Sequence, residues 1–395
     1  MSGTTSLDLK RMVKNNTMLF ALVAVMLLFQ VLILATDHGS LFAPSNITNI
    51  INQNAYVMIL ATGELLCILT GGNIDLSVGS IVAFVGAIAG TLIVNLHMNV
   101  YLSIVLCLGV GLLIGAWHGL WIAFVSIPPF IVTLSGMLLW RGAALIVLNG
   151  LTISPLPDNY LSIFTSYLPA TADKGFVFTV TMTLAVICCV AFVLLQSVSR
   201  INKKRKGYNT GAGGPFIIKL VVISAAILII ASLLGQHKGL PVILVILAVI
   251  VAAYAYYTQN TVPGRYLYAL GGNQKAARLS GVNTKNVMFF AYTNMGFLSA
   301  IAALACVARF NSAAPTAGMN YELDAIGACF IGGASAYGGT GTVGGAVIGA
   351  IFMGVLNNGM SILGVDANWQ KAVKGLVLLL AVIFDVVSKN KKSSN

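Results

Sequence analysis

Two charged side chains lie deep inside apolar segments of the sequence, and they are the first candidates for chemistry. Glu64 and Arg141 each interrupt a run of residues that is otherwise suited to hydrocarbon. A charge inside a membrane segment is unfavourable, so it calls for a partner or a function. The sequence is compatible with an ion pair between Glu64 and Arg141 but does not demonstrate one.

Cysteine and histidine form no catalytic or metal-binding pattern. The six cysteines and four histidines are scattered, without zinc spacing and without a nucleophile beside a base. We therefore expect a protein that is not an enzyme and that holds no metal or cofactor. A G-x-x-x-x-G-K-[ST] phosphate loop is also missing. If ATP drives this protein, we expect a separate chain to hydrolyse it.

Two glycine-rich breaks interrupt the apolar pattern, at Gly71–Ser80 and at Gly332–Gly345. Irregular backbone at membrane depth persists only where protein or a water-filled cavity surrounds it. The first break is either a tight turn, with Asp75 and Ser77 capping the next helix, or a turn that also moves with a gate. The second break has similar surroundings, and two such breaks in the two halves of a transporter indicate an internal repeat around the substrate path. Whether the breaks are re-entrant stays open. The candidate gate residues are Asp75, Ser77, Ser80, Gly333, Ser335, Asn357 and Asn358.

The second break contains a formal G-x-G-x-x-G at Gly339–Gly344. A dinucleotide site needs that motif between a strand and a helix of a βαβ unit. No strand is predicted before Gly339, so we reject this interpretation.

A polar loop over residues 258–286 carries the start and stop signals of a short helix. Asn273 is a good N-cap and Gly281 a good C-terminal stop, which predicts a two-turn helix with Ala276, Ala277 and Leu279 available to a partner. It would dock into a cytoplasmic protein or, alternatively, lie on lipid headgroups. The candidate coupling residues are Gly272, Asn273, Ala276, Ala277, Arg278, Leu279, Ser280 and Gly281.

Composition places these motifs in a membrane protein. Of the 395 residues, 58% are hydrophobic and 8% are charged, whereas soluble domains carry about 25% charged residues. About 12 apolar runs reach the length of a membrane span, which predicts an all-α polytopic protein. One membrane domain is expected over 17–387, with tails at 1–16 and 388–395 and a basic connector at 197–214. The run after Leu323 is short and could be re-entrant.

Basic residues predict the orientation. The net charge is +12, but most Lys and Arg residues lie in the N-terminus, Arg200–Lys219, Arg265–Lys285 and the C-terminal tail. With 12 spans these clusters share one face, which is expected to be cytoplasmic, as are both termini. The charge therefore indicates topology rather than a nucleic-acid partner.

Several motifs occur together in a recognisable order. They are residues 72–80 (GNIDLSVGS), the loop from Arg265 to Gly281, residues 321–326 (YELDAI), the break at Gly332–Gly345, residues 357–359 (NNG) and residues 373–375 (VKG). Together they resemble the permease family of ATP-binding-cassette (ABC) importers for ribose, xylose, galactose and related sugars, with the xylose-type branch the most similar. The likeness covers nearly the whole chain.

The resemblance implies a bacterial inner-membrane machine with a ten-helix core plus an extra helix pair. Two permease copies would form the pathway. A cytoplasmic ATPase with two nucleotide sites would hold ATP and Mg, and a periplasmic binding protein would deliver the sugar. Asn273–Gly281 would then be the coupling helix. Glu64 departs from the family pattern. A secondary, ion-coupled sugar transporter is the alternative, with Glu64 as its deep carboxylate.

Overall fold

The computed structural model describes residues 17–208 and 213–393, so the predicted tail at 1–16 lies outside the described residues. The helices, numbered in chain order, are α1 (Thr17–Ala35), α2 (Pro44–Leu69), α3 (Val78–Gly90), α4 (Val100–Ala123), α5 (Pro129–Leu148), α6 (Asp158–Thr165), α7 (Lys174–Arg205), α8 (Gly213–His237), α9 (Val242–Asn260), α10 (Val262–Gly272), α11 (Gln274–Leu279), α12 (Thr284–Phe310), α13 (Tyr321–Ile331), α14 (Val343–Ile362) and α15 (Ala367–Ser393). Two short strands, β1 (Tyr167–Leu168) and β2 (Leu240–Pro241), pair antiparallel.

Nine helices of the described residues are long and apolar enough to cross a membrane: α1, α3 with its π-helical continuation Thr91–Asn95, α4, α5, α7, α8, α9, α12 and α14. This supports the predicted all-α polytopic class, and the count of 12 stays a prediction. The differences fall on α2, α13 and α15. The first turns of α2 and α15 are polar, and the 11 residues of α13 span only about 16 Å.

Several predicted boundaries differ from the structure. The second apolar run, for which a span over 55–71 is predicted, belongs to a helix that begins at Pro44, because the polar first turns of α2 are still helical. Helix α7 runs through Arg205, so much of the predicted connector at 197–214 is helical, while 209–212 are outside the described residues. Helix α15 likewise continues to Ser393, through most of the predicted tail.

Helix α2 lies at the centre of the fold. It packs against α9, α12, α13 and α14, and its residues from Asn54 onward are almost all buried. Beside it, α4 and α12 approach through glycine: a Cβ on Gly111 would lie 2.6 Å from the carbonyl oxygen of Gly296. Such contacts allow close van der Waals packing between membrane helices.

The pair α7 and α8 lies at the periphery. These helices pack mainly against each other, and most of their apolar side chains stay exposed. This arrangement agrees with a helix pair added to a core, which the family resemblance implies.

Candidate coupling and gate site

The two glycine-rich breaks and the end of α10 meet at one place in the structure. The backbone N–H of Gly339 donates to the carbonyl of Leu69, the last residue of α2, at 3.1 Å. The Tyr268 hydroxyl of α10 donates to the carbonyl of Gly341 at 3.0 Å. A Cβ on Gly271 would clash with the Leu69 carbonyl oxygen and with the Gly339 nitrogen. Three segments that are distant in sequence therefore share a backbone-to-backbone contact.

The two breaks also lie directly against each other. A Cβ on Gly72 would clash with the carbonyl oxygen of Ala336, and one on Gly338, where φ is +81°, would lie 2.5 Å from the Cα of Gly71. Glycine is the residue that permits such backbone approach. The Ala336 N–H also donates to Asp385 of α15 at 3.2 Å. The breaks therefore pack against each other through their backbones, while Gly71, Gly333 and Tyr337 stay exposed at their surface.

The predicted short helix forms as α11. The Asn273 side chain accepts from the N–H of Ala276 at 2.9 Å and caps the start. At the other end Gly281 has φ +86°, and its N–H donates to Arg278 while that of Val282 donates to Ala277, each at 3.1 Å. This pair of bonds is a Schellman motif, which ends a helix sharply.

The exposed surface of α11 differs from the prediction at one residue. Leu279 is 89% exposed, and Ala276, Arg278 and Ser280 are exposed as well. Ala277 is buried against its own chain at 6% exposure, so its assignment as a partner-facing residue is wrong. In a helix of six residues one side chain must face the body of the protein, and here that side chain is Ala277.

A buried polar cluster holds the first break in place. Glu64 and Asp75 are both fully buried. The Asp75 N–H donates to Glu64 Oε1 at 2.9 Å, and Asp75 Oδ1 accepts from the N–H and the hydroxyl of Ser77, at 2.8 Å and 2.5 Å. Asp75 thus closes a tight turn. The Ser77 hydroxyl is used within this turn, so the expectation that it caps α3 is wrong.

Two side chains from neighbouring helices extend this cluster. The Trp140 indole N–H donates to His118 Nε2 at 3.2 Å, and His118 Nδ1 lies 3.5 Å from the Ser77 hydroxyl. Because Nε2 accepts, the proton of a neutral imidazole belongs on Nδ1 and points toward Ser77. Sequence reasoning missed His118 and Trp140, since nothing local relates a histidine on α4 to a serine 41 residues earlier.

Arg141 does not pair with Glu64. Its Nη1 donates to the carbonyls of Pro315 and Ala317, at 3.0 Å and 2.6 Å. It therefore anchors the segment that leads into α13. The predicted pair is wrong because Glu64 on α2 is occupied by the backbone of the first break, while Arg141 on α5 faces backbone acceptors that no sequence pattern reveals.

Comparison with known proteins identifies the relatives of this chain. Residues 46–382 match the family described as the permease component of the branched-chain amino acid transport system. The chain is 37% identical to the xylose transport system permease protein XylH of Escherichia coli K12, over 99% of this chain and 95% of that protein. It is 34% identical to the ribose import permease protein RbsC of the same strain, over 93% of this chain and 92% of that protein. The chain belongs to this permease family.

Membership settles the class of protein. The permease is a transport subunit and not an enzyme. Haemophilus influenzae XylH is also 37% identical, over 95% of the permease and 96% of that protein. The xylose permeases are thus more similar to it than the ribose permease, which confirms the sequence resemblance. No solved structure matches the chain, and nothing in these comparisons favours ion-coupled transport.

The remaining candidate gate residues have different surroundings in the permease. Asn358 of α14 exchanges two side-chain hydrogen bonds with Asn46 of α2, at 2.9 Å and 3.0 Å. The hydroxyl of Ser80 and the side-chain amide oxygen of Asn357 are buried and have no hydrogen-bond partner in the described part of the chain. Ser335 is buried inside the second break, whereas an added Cβ on Gly333 would meet open space. The hydroxyl of Ser335 accepts from the N–H of Tyr337 at 3.0 Å and so helps to shape the second break from within.

One ion pair joins α13 to α15. Lys374 of α15 lies 3.0 Å from Asp324 in the first turn of α13, and the Asp324 side chain is 3% exposed. Together with the bond from Ala336 to Asp385, this pair ties α15 to the start of α13 and to the second break that follows α13. Among the described residues no group of three or more His, Cys, Asp or Glu could hold a metal ion.

Proposed function

We propose that the permease is the membrane-spanning subunit of an ATP-binding-cassette importer for a monosaccharide. The cargo is a xylose-like pentose or a related hexose, which moves from periplasm to cytoplasm across the bacterial inner membrane. Similarity to xylose and ribose permeases over nearly the full length supports the sugar class. Both termini and α11 lie on the cytoplasmic side in this proposal, as the distribution of basic residues indicates.

The observation that carries this proposal is the contact of the α10–α11 region with the end of α2 and with the second glycine-rich break, which in turn packs against the first break. Leu279 protrudes from α11 with 89% of its surface exposed. Eight residues earlier in the chain, Gly271 touches the end of α2 and the second break. A push on α11 therefore reaches the gate segments through backbone contacts. Close-packed interiors transmit such displacements because they are nearly incompressible.

Three partners follow from this function. A second permease copy completes the pathway, a cytoplasmic ATPase with two nucleotide sites receives α11, and a periplasmic binding protein supplies the sugar. ATP and Mg belong to the ATPase, and the permease itself needs no cofactor. ATP binding closes the cytoplasmic side through α11, and the sugar crosses at the dimer axis past weakly polar Ser, Thr and Asn side chains without tight binding.

Reconstituted vesicles test this function against ion-coupled transport. The permease is reconstituted with its ATPase, ATP is loaded inside, and the binding protein with labelled pentose is added outside. Uptake is expected to need both ATP and the binding protein and to survive a proton uncoupler. An ion-coupled transporter would give the reverse result, with uptake abolished by the uncoupler and independent of ATP. That reverse result would overturn the proposal.

A further inference from the structure

A polar cavity of about 220 Å³ opens at the end of the permease that is opposite to α11. It lies between the first turns of α2, the last turns of α12, helix α6 and the strand β1. From Asn49 at the cavity to Leu69 at the coupling site, α2 rises by about 30 Å. The polar lining of the cavity is formed by Asn49, Asn52, Gln53, Thr165, Tyr167 and Arg309, with Tyr56 at one side, and apolar side chains such as Phe164 and Ile243 complete the wall.

The lining from α2 is a single stripe of that helix. Asn49, Asn52, Gln53 and Tyr56 stand at positions i, i+3, i+4 and i+7, which share one face. Three amides on one face are unusual in a chain that is 58% hydrophobic. One of them is already oriented, because Asn52 Nδ2 donates to the Tyr167 hydroxyl at 2.9 Å. The side-chain amide oxygen of Asn52 has no hydrogen bond in the described structure.

Arg309 forms the opposite wall. Its Nη1 makes one long hydrogen bond of 3.4 Å to the Gln53 carbonyl, and its guanidinium lies over the Phe310 ring at 4.7 Å. No carboxylate lies within 4.0 Å of it among the side chains that the structure describes. Guanidinium carries five N–H donors, so most of them are available. Tyr56 stacks on Tyr321 at 3.8 Å, which holds its ring rigidly beside the cavity.

The chemistry of this lining selects the kind of ligand. Among the described residues no Asp or Glu lines the cavity, which disfavours a cation. Amide groups donate and accept in pairs, as sugar hydroxyls do, and a fixed aromatic ring can cover an apolar sugar face. The volume equals about seven waters, which accommodates one small polyol. Arg309 is cationic, and the ammonium group of Lys238 lies 5.6 Å from the centre of the Tyr167 ring. These two positive charges make a small anion the competing ligand.

We propose that this cavity is a transient binding site for one neutral monosaccharide, held by Asn52, Gln53 and Arg309. The site would receive the sugar on the periplasmic side before the pathway opens. This inference rests on the proposed function, which supplies the substrate class and the orientation. The cavity geometry adds where in the permease the sugar first binds.

Ligand-observed NMR on the full-length permease in nanodiscs tests the site without the ATPase or the binding protein. Saturation transfer to xylose, ribose and glucose at millimolar concentration is measured for wild type, N52L, Q53L and R309M. Loss of one polar contact is expected to weaken binding about tenfold. Asn159→Leu is the matched control, because Asn159 is an exposed asparagine on α6 that does not line the cavity.

Saturable sugar binding in wild type and Asn159→Leu, lost in the three variants at unchanged melting temperature, would support the site. Y167F, which keeps the ring and loses only the hydroxyl, is expected to bind more weakly than wild type and serves if a larger change fails to fold. The inference would be overturned if wild type showed no saturable sugar binding or if all variants bound sugar equally. It would also be overturned if the site bound phosphate that sugar could not displace. Vesicle uptake separates the two proposals: ATP-dependent uptake that is unchanged in N52L and R309M would refute this site alone.

Discussion

The exposed leucine of α11 gives the sharpest prediction about coupling. Leu279 is 89% exposed, and full burial of a leucine side chain stabilises a complex by about 2 kcal/mol. Leu279→Ala removes most of that contribution, so each permease copy should bind the ATPase roughly 30-fold more weakly. If two copies dock on one ATPase pair, the combined loss approaches about 4 kcal/mol, since the sites are distant enough to be additive.

Binding of purified ATPase to immobilised permease in detergent measures this loss directly. Detergent removes the bilayer, so an effect of Leu279 on lipid binding does not enter the measurement. Because the side chain barely touches its own chain, the free energy of unfolding should change by less than about 0.5 kcal/mol. Val262→Ala, an exposed apolar residue at the start of α10, is the matched control and should bind normally.

Equal ATPase affinity for wild type and Leu279→Ala would refute the docking assignment. If ATPase affinity were equal and Leu279→Ala also bound lipid vesicles more weakly than wild type, α11 would instead be a helix that lies on lipid headgroups. Weaker binding by Val262→Ala to the same degree would show that the effect is not specific to α11.

Three further changes test the buried site. Gly271→Ala places a Cβ against the Leu69 carbonyl, so it should destabilise the permease by about 1–3 kcal/mol and uncouple ATP hydrolysis from uptake. Gly272→Ala is the control, because its Cβ meets open space, and it should have neither effect. Glu64→Gln keeps an acceptor for the Asp75 N–H, so its melting temperature should be near that of wild type. Glu64→Leu leaves that N–H buried without an acceptor and should lower the free energy of unfolding by about 1–3 kcal/mol. Equal melting temperatures for the two variants would contradict the assigned role of Glu64. Arg141→Met removes both bonds to the Pro315 and Ala317 carbonyls and should lower stability by about 2 kcal/mol or more, while an Arg141–Glu64 pair would require Glu64→Gln to be equally harmful.

Local signals in the sequence predicted α11 well, and long-range contacts explain the failures. Asn273 and Gly281 act within one helical turn of themselves, so their residue types suffice to place the helix ends. The side of α11 that faces the protein depends on how α10 and α12 pack, and Ala277 was assigned wrongly for that reason. Arg141 shows the same limit, because its acceptors are main-chain carbonyls about 175 residues away, and every residue type has such a carbonyl.

Hydropathy likewise predicted the helices that are apolar along most of their length, including the largely buried α3, α12 and α14. It failed at the polar first turns of α2. Helix α2 begins with polar turns, yet Pro44 starts a continuous helix of 26 residues. Its neighbours, rather than lipid, surround it, so its sequence need not be apolar throughout. For this reason Asn49, Asn52 and Gln53 lie before the apolar run that begins at Ala55, although they form one face of the helix.

This central helix connects the proposed sugar site to the proposed coupling site. At one end its amide stripe lines the polar cavity, and at the other Leu69 accepts the hydrogen bond from Gly339 beside Gly271. Between them its side chains are almost all buried, so α2 cannot bend or shift without displacing α12, α13 and α14. A helix held in this way moves as a rigid element, and a displacement at the coupling site must change the shape of the cavity. Sugar affinity at the cavity should consequently depend on whether the ATPase is docked. By thermodynamic linkage, sugar binding should then change the affinity of the permease for the ATPase by the same factor.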